Sequence, residues 1–570
     1  MELMSGAQML VRTLEDLGVD RLFGYPGGAV LDIYDALLAS KKIKHILARH
    51  EQGAAHMADG YARVSGKVGC ALVTSGPGAT NTVTAIATAY MDSIPMVVIT
   101  GQVISPLIGS DAFQEVDTVG ITRPIVKHSF LCQNALDIPK YLREAFYLAS
   151  TGRPGPVVVD VPKDCVRPTD KFEYPPMGEI KMRTYNPTKL GHRGQVKRAA
   201  KMLAEARRPV MMVGGGVILG NASSRVRDLA HRFNLPVTST LMGLGAFPST
   251  DRQFLGMLGM HGTFEANEAM DKCDLVLAIG VRFDDRVTND VSKFCPAAKI
   301  IHIDVDPTSI SKTITADIPI VGEADSVLGQ FNEAISELQL SCNTEDLEKW
   351  WSQINVWRQK KCLAYKKDKN LCQPQEVIEA VYKATDGKAI IATDVGQHQM
   401  FTALYYPFDN PRQFLTSGGL GTMGYGFPAA VGAKVAKPDE EVCLITGDGS
   451  FQMNIQELST CFEFNIPVKI FILDNHTLGM VRQWQKLFYG GRISSTNLNY
   501  NPDFVALAKA YGHEAILVEK PSELDDAVKK ALSMKDKLVI VDVLCNTDAK
   551  VMPMQQPKGG MADMFLAEEN

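Results

Sequence analysis

Residues 441–450, EVCLITGDGS, and residues 468–480, VKIFILDNHTLGM, decide the fold of this chain. Each begins as an apolar run of strand length and ends in glycines and polar residues that open a helix, which is typical of a parallel sheet with flanking helices. Ligands of such sheets collect at the carboxyl ends of the strands, where Asp448 and Asn475 stand. Magnesium prefers oxygen ligands of this kind. The sequence therefore predicts a diphosphate held through Mg2+, with Asp448, Asn475 and the carbonyl of Thr477 as ligands.

The residues around this pair favour an anionic ligand. Gly449 allows close backbone approach, and Ser450 is predicted to begin a helix whose free amides attract phosphate. A plain Asp-Gly turn would explain GDG alone, but it does not explain the paired asparagine at the next strand end. Further candidates are the strand-end donors of DVGQHQM and the glycine-rich stretch SGGLGTMGYGFP, namely Gln397, His398, Gly421 and Met423.

Apolar β-rich runs alternate with helical patterns along most of the chain, which predicts an α/β fold of three doubly wound parallel-sheet domains. We place these domains at residues 1–170, 190–340 and 371–548. A proline-rich linker follows the first domain, and a polar helical segment, 346–370, precedes the third. The tail, residues 549–570, is a candidate lid or a frayed terminus.

Composition excludes several classes of function. The 570 residues are 45% hydrophobic and 22% charged with a net charge of −5, so no nucleic-acid or membrane partner is expected. No apolar run reaches the roughly 18–20 residues of a spanning helix. The N-terminus is typical of an amphipathic helix and not of a targeting peptide. Eleven cysteines without paired spacing indicate reduced thiols in a cytoplasmic protein.

An acid stands at the corresponding place in the first block. Glu51, in RHEQGAAHMADGYAR (49–63), follows a predicted strand and lies in the first turn of a helix, where the helix dipole stabilises a carboxylate. Helix capping alone would account for it. The nearby turn TSGPGATN (74–81) gives the first and third blocks the same plan of strand, glycine turn and helix.

Together, Glu51, SGPGATN, GDGS and DNHTLGM resemble the thiamine-diphosphate-dependent decarboxylase and carboligase family over nearly the whole chain. Within it, the chain is most similar to the catalytic large subunits of acetohydroxyacid (acetolactate) synthases, the bacterial isozyme III form in particular. The segments that carry this closer resemblance are FGYPGGAVLDIYDAL (23–37), TAYMDSIP (88–95), DAFQEVD (111–117), GRPGPVVVDVPKD (152–164), LMGLGAFP (241–248), LGMHGT (258–263), GVRFDDRVT (280–288) and GMVRQWQ (479–485).

The resemblance implies roles for the residues around thiamine diphosphate. Glu51 would contact the aminopyrimidine nitrogen and promote removal of the C2 proton. Asp448 and Asn475 would bind Mg2+ together with the Thr477 carbonyl. The cofactor would be held by Gln397, His398, Gly421, Met423, Gly449, Ser450, Gly479 and Met480. In this family Glu51 and the diphosphate site belong to different subunits, so the resemblance implies a homodimer or a higher oligomer, with a small regulatory subunit as partner.

The implied reaction decarboxylates pyruvate and transfers the two-carbon unit to pyruvate or 2-oxobutanoate. The products are 2-acetolactate or 2-aceto-2-hydroxybutanoate, precursors of valine, leucine and isoleucine. By the same resemblance, Trp484 would shape the pocket for the second substrate and Arg286 would pair with its carboxylate. The substrate channel would be lined by Phe113, Gln114, Lys163, Met260, Met480 and Val481.

The middle block resembles the FAD-binding domain of this family. VGGG (213–216) lacks the usual dinucleotide fingerprint spacing and is weak alone. The flavin performs no net redox chemistry in the family's reaction. The resemblance implies that FAD contacts Arg153, Gly215, Leu241, Met260, His261, Gly280, Arg282, Asp304 and Glu323.

Three other functions are alternatives to this interpretation. A pyruvate oxidase-like flavoenzyme is disfavoured by FDDR, Trp484 and Lys163. Glyoxylate carboligase lacks an acid at the position of Glu51, and a catalytically dead subunit does not explain why every candidate residue is present. One departure stands out: the family often has two asparagines where this chain has Asp474-Asn475, so the extra carboxylate is expected to alter metal affinity or pH response.

Overall fold

The computed structural model describes residues 3–567 and confirms the predicted α/β architecture. In that part of the chain there are three six-stranded sheets, and within each of them every paired strand runs parallel. Helices cover both faces, so the central strands are buried on both sides and are almost continuously apolar.

The first sheet has the strand order β3-β2-β4-β5-β7-β6, and β1 and β8 form a separate short antiparallel pair. The strands are β1 (Leu3–Met4), β2 (Arg21–Tyr25), β3 (Lys44–Leu47), β4 (Gly69–Val73), β5 (Met96–Gln102), β6 (His128–Leu131), β7 (Pro156–Pro162) and β8 (Phe172–Glu173). The helices are α1 (Gly6–Asp16), α2 (Leu31–Leu37), α3 (Glu51–Ser65), α4 (Pro77–Asn81), α5 (Val83–Asp92), α6 (Thr118–Thr122) and α7 (Ile138–Ser150).

The second sheet has the order β11-β10-β9-β12-β13-β14. Its strands are β9 (Pro209–Val213), β10 (Val237–Ser239), β11 (Phe254–Met257), β12 (Leu275–Ile279), β13 (Lys299–Asp304) and β14 (Ile318–Val321). The helices are α8 (Arg193–Glu205), α9 (Gly215–Leu219), α10 (Ser223–Phe233), α11 (Phe264–Lys272), α12 (Asp285–Thr288), α13 (Ala324–Glu337) and α14 (Thr344–Arg358). Helix α14 is the predicted polar helical segment, but it ends twelve residues earlier than expected, at Arg358.

The third sheet has the order β16-β15-β17-β18-β20-β19. Its strands are β15 (Ile390–Thr393), β16 (Phe414–Leu415), β17 (Val442–Gly447), β18 (Lys469–Asp474), β19 (Glu514–Val518) and β20 (Val539–Leu544). The helices are α15 (Pro374–Thr385), α16 (Gln397–Tyr405), α17 (Gly426–Ala436), α18 (Asp448–Phe451), α19 (Glu457–Phe464), α20 (Gly479–Phe488), α21 (Phe504–Ala510) and α22 (Pro521–Ser533). Strands β17 and β18 are neighbours, as the prediction of a common metal site requires.

Helices α3 and α17 pack together and join the first and third blocks. A Cβ atom at Gly60 would lie 2.1 Å from the carbonyl oxygen of Ala429, and one at Gly432 would lie 1.9 Å from that of Met57. Only glycine permits this approach. The contact places the two sheets in a fixed relation, with α3 buried along most of its length.

The tail packs against the second block. Strands β21 (Met554–Gln555) and β22 (Met564–Phe565) form an antiparallel pair. The Gln555 amide donates to the carbonyl of Met260 at 2.7 Å. The role of the tail as a lid and the limits of the three domains stay predictions. Residues 568–570 of the tail lie outside the described residues. Within residues 3–567, no helix is both long enough and apolar enough to cross a membrane.

Candidate active site

A cavity of about 1440 Å3 lies between the second and third sheets. Most of the residues predicted for the two cofactors and the second substrate line it, although they come from segments far apart in the sequence. They are Arg153, Gly215, Leu241, Met260, His261, Gly280, Arg282, Arg286, Asp304, Glu323, Gln397, His398, Gly421, Met423, Asp448, Gly449, Ser450, Asn475, Thr477, Gly479, Met480, Val481 and Trp484. Since ordinary ligand pockets measure about 300–1,000 Å3, the cavity has room for more than one cofactor.

Two buried carboxylates meet where β17 and β18 end. The Asn501 side chain donates from Nδ2 to Asp448 Oδ2 at 2.7 Å and to Asp474 Oδ1 at 3.0 Å. Candidate ligand atoms of Asp448, Asp474 and His476 all lie within 4.8 Å of one another. Asn475 lines the cavity beside them, and its Oδ1 accepts the amide of Thr477 at 3.1 Å.

This cluster fits a divalent cation. Burial, followed by the charge of Asp474, raises the pKa of Asp448 to about 7. A cation between the carboxylates would remove the repulsion and restore the ionised form. The sequence prediction missed Asn501, which no local pattern marked. It also placed the helix start at Ser450, whereas α18 begins at Asp448, because the metal-side residue itself starts the turn.

One buried side chain near the cluster, that of His398, fits a diphosphate. Among residues 3–567, His398 Nε2 and Gln397 Oε1 are buried without a hydrogen-bond partner, and both residues line the cavity. Burial lowers the pKa of His398 to about 3, so its imidazole is neutral without a ligand, and its one N–H donates to the Asp394 carbonyl. Gln397 Nε2 already donates to Gln483 Oε1 at 2.9 Å, which fixes the side chain. An anionic ligand would satisfy the histidine.

The glycine-rich loop that carries Gly421 and Met423 is held by a residue of the first block. Asp92 accepts hydrogen bonds from the amides of Gly418 and Gly419. No role was predicted for Asp92, although the segment TAYMDSIP contains it. The loop therefore owes its place against the cavity to a contact between blocks.

The residues predicted for FAD line the other end of the cavity. Burial raises the pKa of Asp304 to about 6, and its Oδ1 accepts the amide of Asp306 at 2.8 Å. Arg153 reaches across from the first block, with Nη1 3.2 Å from Asp306 Oδ2 and Nε donating to Ser93 Oγ at 2.8 Å. The charged pair and the nearby glycines suit a phosphate-containing dinucleotide.

The residues predicted for the second substrate also meet here. Trp484 lies on α20, with its ring centroid 5.4 Å from that of Phe488. Arg286 is largely exposed, and its Nη1 lies 3.3 Å from the sulfur of Met260. An aromatic wall and a cation thus share one cavity mouth.

Four predicted residues lie elsewhere. Within residues 3–567, Glu51, Phe113, Gln114 and Lys163 do not line this cavity. Each follows a strand of the first sheet, so they lie at its carboxyl edge. Asn81 Nδ2 donates to Glu51 Oε2 at 2.9 Å, and a Cβ atom at Gly76 would lie 2.7 Å from the carbonyl oxygen of Gln114. They form a second, smaller group of site residues.

The cavity and the second group of site residues lie at opposite ends of the strands of the first sheet. The cavity touches this sheet at Asp92, Ser93 and Arg153, which precede β5 and β7 and so mark its amino edge. The seven residues of β5 span about 20 Å at roughly 3.3 Å per residue. Glu51 and the part of the cavity that meets this sheet therefore lie at opposite ends of its strands.

Models of three protein families match the chain, and all three describe thiamine pyrophosphate enzymes. The N-terminal TPP binding domain matches residues 4–121 and the central domain matches residues 196–331. The C-terminal TPP binding domain matches residues 394–543. The central match contains all six strands of the second sheet. The N-terminal match contains β2 to β5 of the first sheet, and the C-terminal match contains most of the third.

Curated relatives match over the full length. The acetolactate synthase large subunit of Haemophilus influenzae is 58% identical over 568 residues, which cover 100% of this chain and 99% of the relative. The acetolactate synthase isozyme 3 large subunit of Escherichia coli is 55% identical over 570 residues, with 100% and 99% covered. An acetolactate synthase of Mycobacterium bovis is 49% identical over 557 residues, with 97% and 90% covered.

Proposed function

The chain belongs to the acetolactate synthase large subunits, a family of thiamine pyrophosphate enzymes, and on this premise we propose which of its residues perform each part of the reaction. The enzyme decarboxylates pyruvate and joins the two-carbon unit to a second 2-oxo acid. The relatives give no support to the pyruvate oxidase alternative.

Bound thiamine diphosphate supplies a nucleophilic carbon and an electron sink for the decarboxylation. Asp448 and Asn475, with the Thr477 carbonyl, hold Mg2+ against the diphosphate. A phosphate oxygen beside His398 would favour the protonated imidazole, in which Nε2 donates to that oxygen, and the amides of Gly449 and Ser450 at the start of α18 would assist it. Met423 supports the cofactor from the glycine-rich loop, and Gly479 and Met480 close the cavity wall on that side.

FAD occupies the remaining end of the cavity, between the second block and Arg153. The unusual volume and the Asp304–Arg153 region support this assignment. Because the overall reaction transfers no net electrons, the chain's residues hold the flavin as a structural group.

The active unit is a dimer in which each chain lends its Glu51 to the cavity of the other. The observation that carries this proposal is the position of Glu51, which follows β3 at the carboxyl end of the first sheet, whereas the cavity of its own chain meets this sheet at the amino end. A cavity that holds the metal and phosphate groups needs an acid from a second copy. Glu51 would then lie against the aminopyrimidine of the bound cofactor, where its carboxyl would hold or move a proton. Gln114, Phe113 and Lys163 accompany it and complete the substrate channel.

The second 2-oxo acid lies between Trp484 and Arg286. Arg286 pairs with its carboxylate, and the indole of Trp484 contacts its alkyl group. The exposed guanidinium at the cavity mouth supports the first contact, and the aromatic wall supports the second.

A small regulatory subunit and a cytoplasmic location complete the proposal. The relatives are named large subunits, which supports a smaller partner. All eleven cysteines are free and ten of them are buried, which suits a reducing compartment.

A mixed-dimer assay tests the shared site. Asp448→Ala removes a metal ligand from the chain's own cavity, and Glu51→Gln removes the acid that the chain contributes to its partner's cavity. A dimer of either variant alone should therefore be inactive. Unfolding and refolding a mixture, or co-expression, gives hybrids in which one of the two sites is intact. Random pairing should restore about a quarter of the wild-type rate of acetolactate formation. A mixture no more active than its two components contradicts the shared site.

Cofactor omission tests the remaining assignments. The purified protein is assayed with pyruvate, with and without 2-oxobutanoate, and thiamine diphosphate, Mg2+ and FAD are left out in turn. Each omission should abolish product formation, and an added electron acceptor should change nothing. Full activity without FAD would remove the flavin from the proposal.

A further inference from the structure

We propose that Glu457 is a positioning residue that fixes Glu51 for its work in the partner's cavity, an inference that rests on the shared site proposed above. Glu457 is the first residue of α19, in the third block, and is fully buried. Its two carboxylate oxygens each accept the backbone amide of Arg49 at 3.1 Å. Arg49 stands two residues before Glu51, in the turn between β3 and α3.

A second residue of α19 contacts the same turn. Thr460 Oγ1 lies 2.8 Å from Glu457 Oε2 and 3.1 Å from the carbonyl oxygen of Leu47, the last residue of β3. The turn is therefore held at an amide and at a carbonyl by neighbouring side chains of one helix. These contacts fix the direction in which the chain enters α3, and Glu51 is the first residue of that helix.

The helix is shaped to receive the carboxylate. A Cβ atom at Gly53 would lie 2.4 Å from Glu457 Oε1, so the carboxylate occupies the space that a side chain would fill. His50 caps the same turn by accepting the Gln52 amide at its Nδ1, at 3.0 Å. The start of α3 thus has two acceptors: His50 accepts the amide of Gln52 within the same turn, and Glu457 accepts the amide of Arg49 from the third block.

The role requires an acceptor oxygen and not a charge. Burial raises the pKa of Glu457 to about 7, and both the carboxylate and the neutral acid keep an oxygen for the Arg49 amide. Glutamine keeps one as well, whereas alanine leaves the buried amide without its partner. The turn must then move to find another, and a small displacement of a catalytic group costs much of its rate.

Glu457 is distinguished from an ordinary interdomain contact by the site it serves. It belongs to the same chain as the Glu51 it holds, and that Glu51 enters the partner's cavity. Loss of Glu457 should therefore impair the site that uses this Glu51 and spare the cavity of its own chain. A merely structural residue would impair both sites alike.

Two tagged hybrids separate these cases, and both are built from an Asp448→Ala chain paired with a Glu51→Gln chain. Their one intact site uses the cavity of the Glu51→Gln chain and the Glu51 of the Asp448→Ala chain. In the first hybrid Glu457→Ala is added to the Asp448→Ala chain, and in the second to the Glu51→Gln chain. We expect kcat and the C2 proton exchange of bound thiamine diphosphate to fall at least tenfold in the first and less than twofold in the second. The cofactor dissociation constant and the KM for pyruvate should not change.

Control variants keep the test decisive. Glu457→Gln should retain near-parental kcat in both hybrids. Glu463→Gln removes a surface glutamate of the same helix whose Oε2 lies 2.5 Å from the Arg49 guanidinium, and it should have no effect. If the Glu457→Ala chain does not fold, Thr460→Val should give a several-fold loss with the same preference for the first hybrid.

Equal losses in the two hybrids, or full activity in the first, would overturn the positioning role. An inactive parental hybrid, with Glu457 intact in both chains, would instead reject the shared site.

Discussion

The carboxylate of Asp92, at the end of α5, accepts a hydrogen bond of 2.7 Å from the backbone amide of Gly419 in the third block. The same carboxylate is paired with the buried guanidinium of Arg63, at 2.8 Å. Arg63 also binds Asp59, which accepts the hydroxyl of Tyr425 at 2.8 Å. A buried ionic network between two sheets thus holds the loop that forms one wall of the cavity.

Asp92→Ala should weaken the binding of thiamine diphosphate by about tenfold, which corresponds to about 1.4 kcal/mol for the lost loop contacts. It also leaves Arg63 with one buried partner, so the melting temperature should fall. Asp92→Asn keeps an oxygen for the Gly419 amide and should lower stability with a smaller loss of affinity. Cofactor titration followed by tryptophan fluorescence measures the first effect and calorimetry the second. Unchanged affinity in Asp92→Ala would show that the loop holds its place without this contact.

Glu51→Gln should slow C2 proton exchange and acetolactate formation by roughly 10²–10⁴-fold, the usual contribution of a general acid or base. The fold should be preserved, because Asn81 can still donate to the amide oxygen of the glutamine. Exchange is followed by NMR of acid-quenched samples. Near-normal acetolactate output from this variant would contradict the assignment of Glu51 as the catalytic acid.

Asp474→Asn should stabilise the metal-free protein and weaken the metal-loaded one. Two buried carboxylates, Asp474 and Asp448, share one Asn501 donor, so removal of one charge relieves repulsion when no cation is present. When Mg2+ is bound, the negative charge of Asp474 attracts the cation, so its loss should lower metal affinity several-fold. Thermal unfolding with and without Mg2+ and thiamine diphosphate measures both. Asp448→Ala serves as the reference, since it should abolish metal-dependent stabilisation.

Trp484→Leu should shift the choice of second substrate towards pyruvate by roughly tenfold, because a pocket gains about 1–3 kcal/mol from one well-packed methylene. The rate of pyruvate decarboxylation should change little. The measurement is the ratio of the two products when pyruvate and 2-oxobutanoate compete. Trp357→Leu, on the remote helix α14, is the matched control. An unchanged product ratio would place the specificity pocket elsewhere.

The sequence predicted the cavity well because its key residues follow neighbouring parallel strands. Asp448 and Asn475 stand at the ends of β17 and β18, so the topology that builds the sheet also brings these two candidate ligands together. His398 is placed in the same way, as the second residue of α16, the helix that follows β15. Such positions are encoded locally, by an apolar run followed by a turn.

The contacts between blocks could not be predicted. Asp92 and Gly419 are 327 residues apart in sequence, and Arg49 and Glu457 are 408 apart. No local pattern marks them, because they depend on how α3 packs against α17. For the same reason the sequence alone identified Glu51 but could not show that it lies on the opposite edge of its sheet from the cavity.

The last prediction concerns pH and His398. Its folded-state pKa is lowered to about 3 by burial, against about 6.5 in the unfolded chain, so between these values the unfolded chain binds the extra proton. The free energy of unfolding should therefore fall as pH drops below 6.5, by about 2 kcal/mol at pH 5 from this group alone. His398→Gln removes this dependence. The melting temperature of the cofactor-free variant, relative to wild type, should thus rise by a few degrees between pH 7.5 and pH 5. A constant difference across this range would mean that the folded-state pKa of His398 stays close to its unfolded value, and burial would then not keep the imidazole neutral.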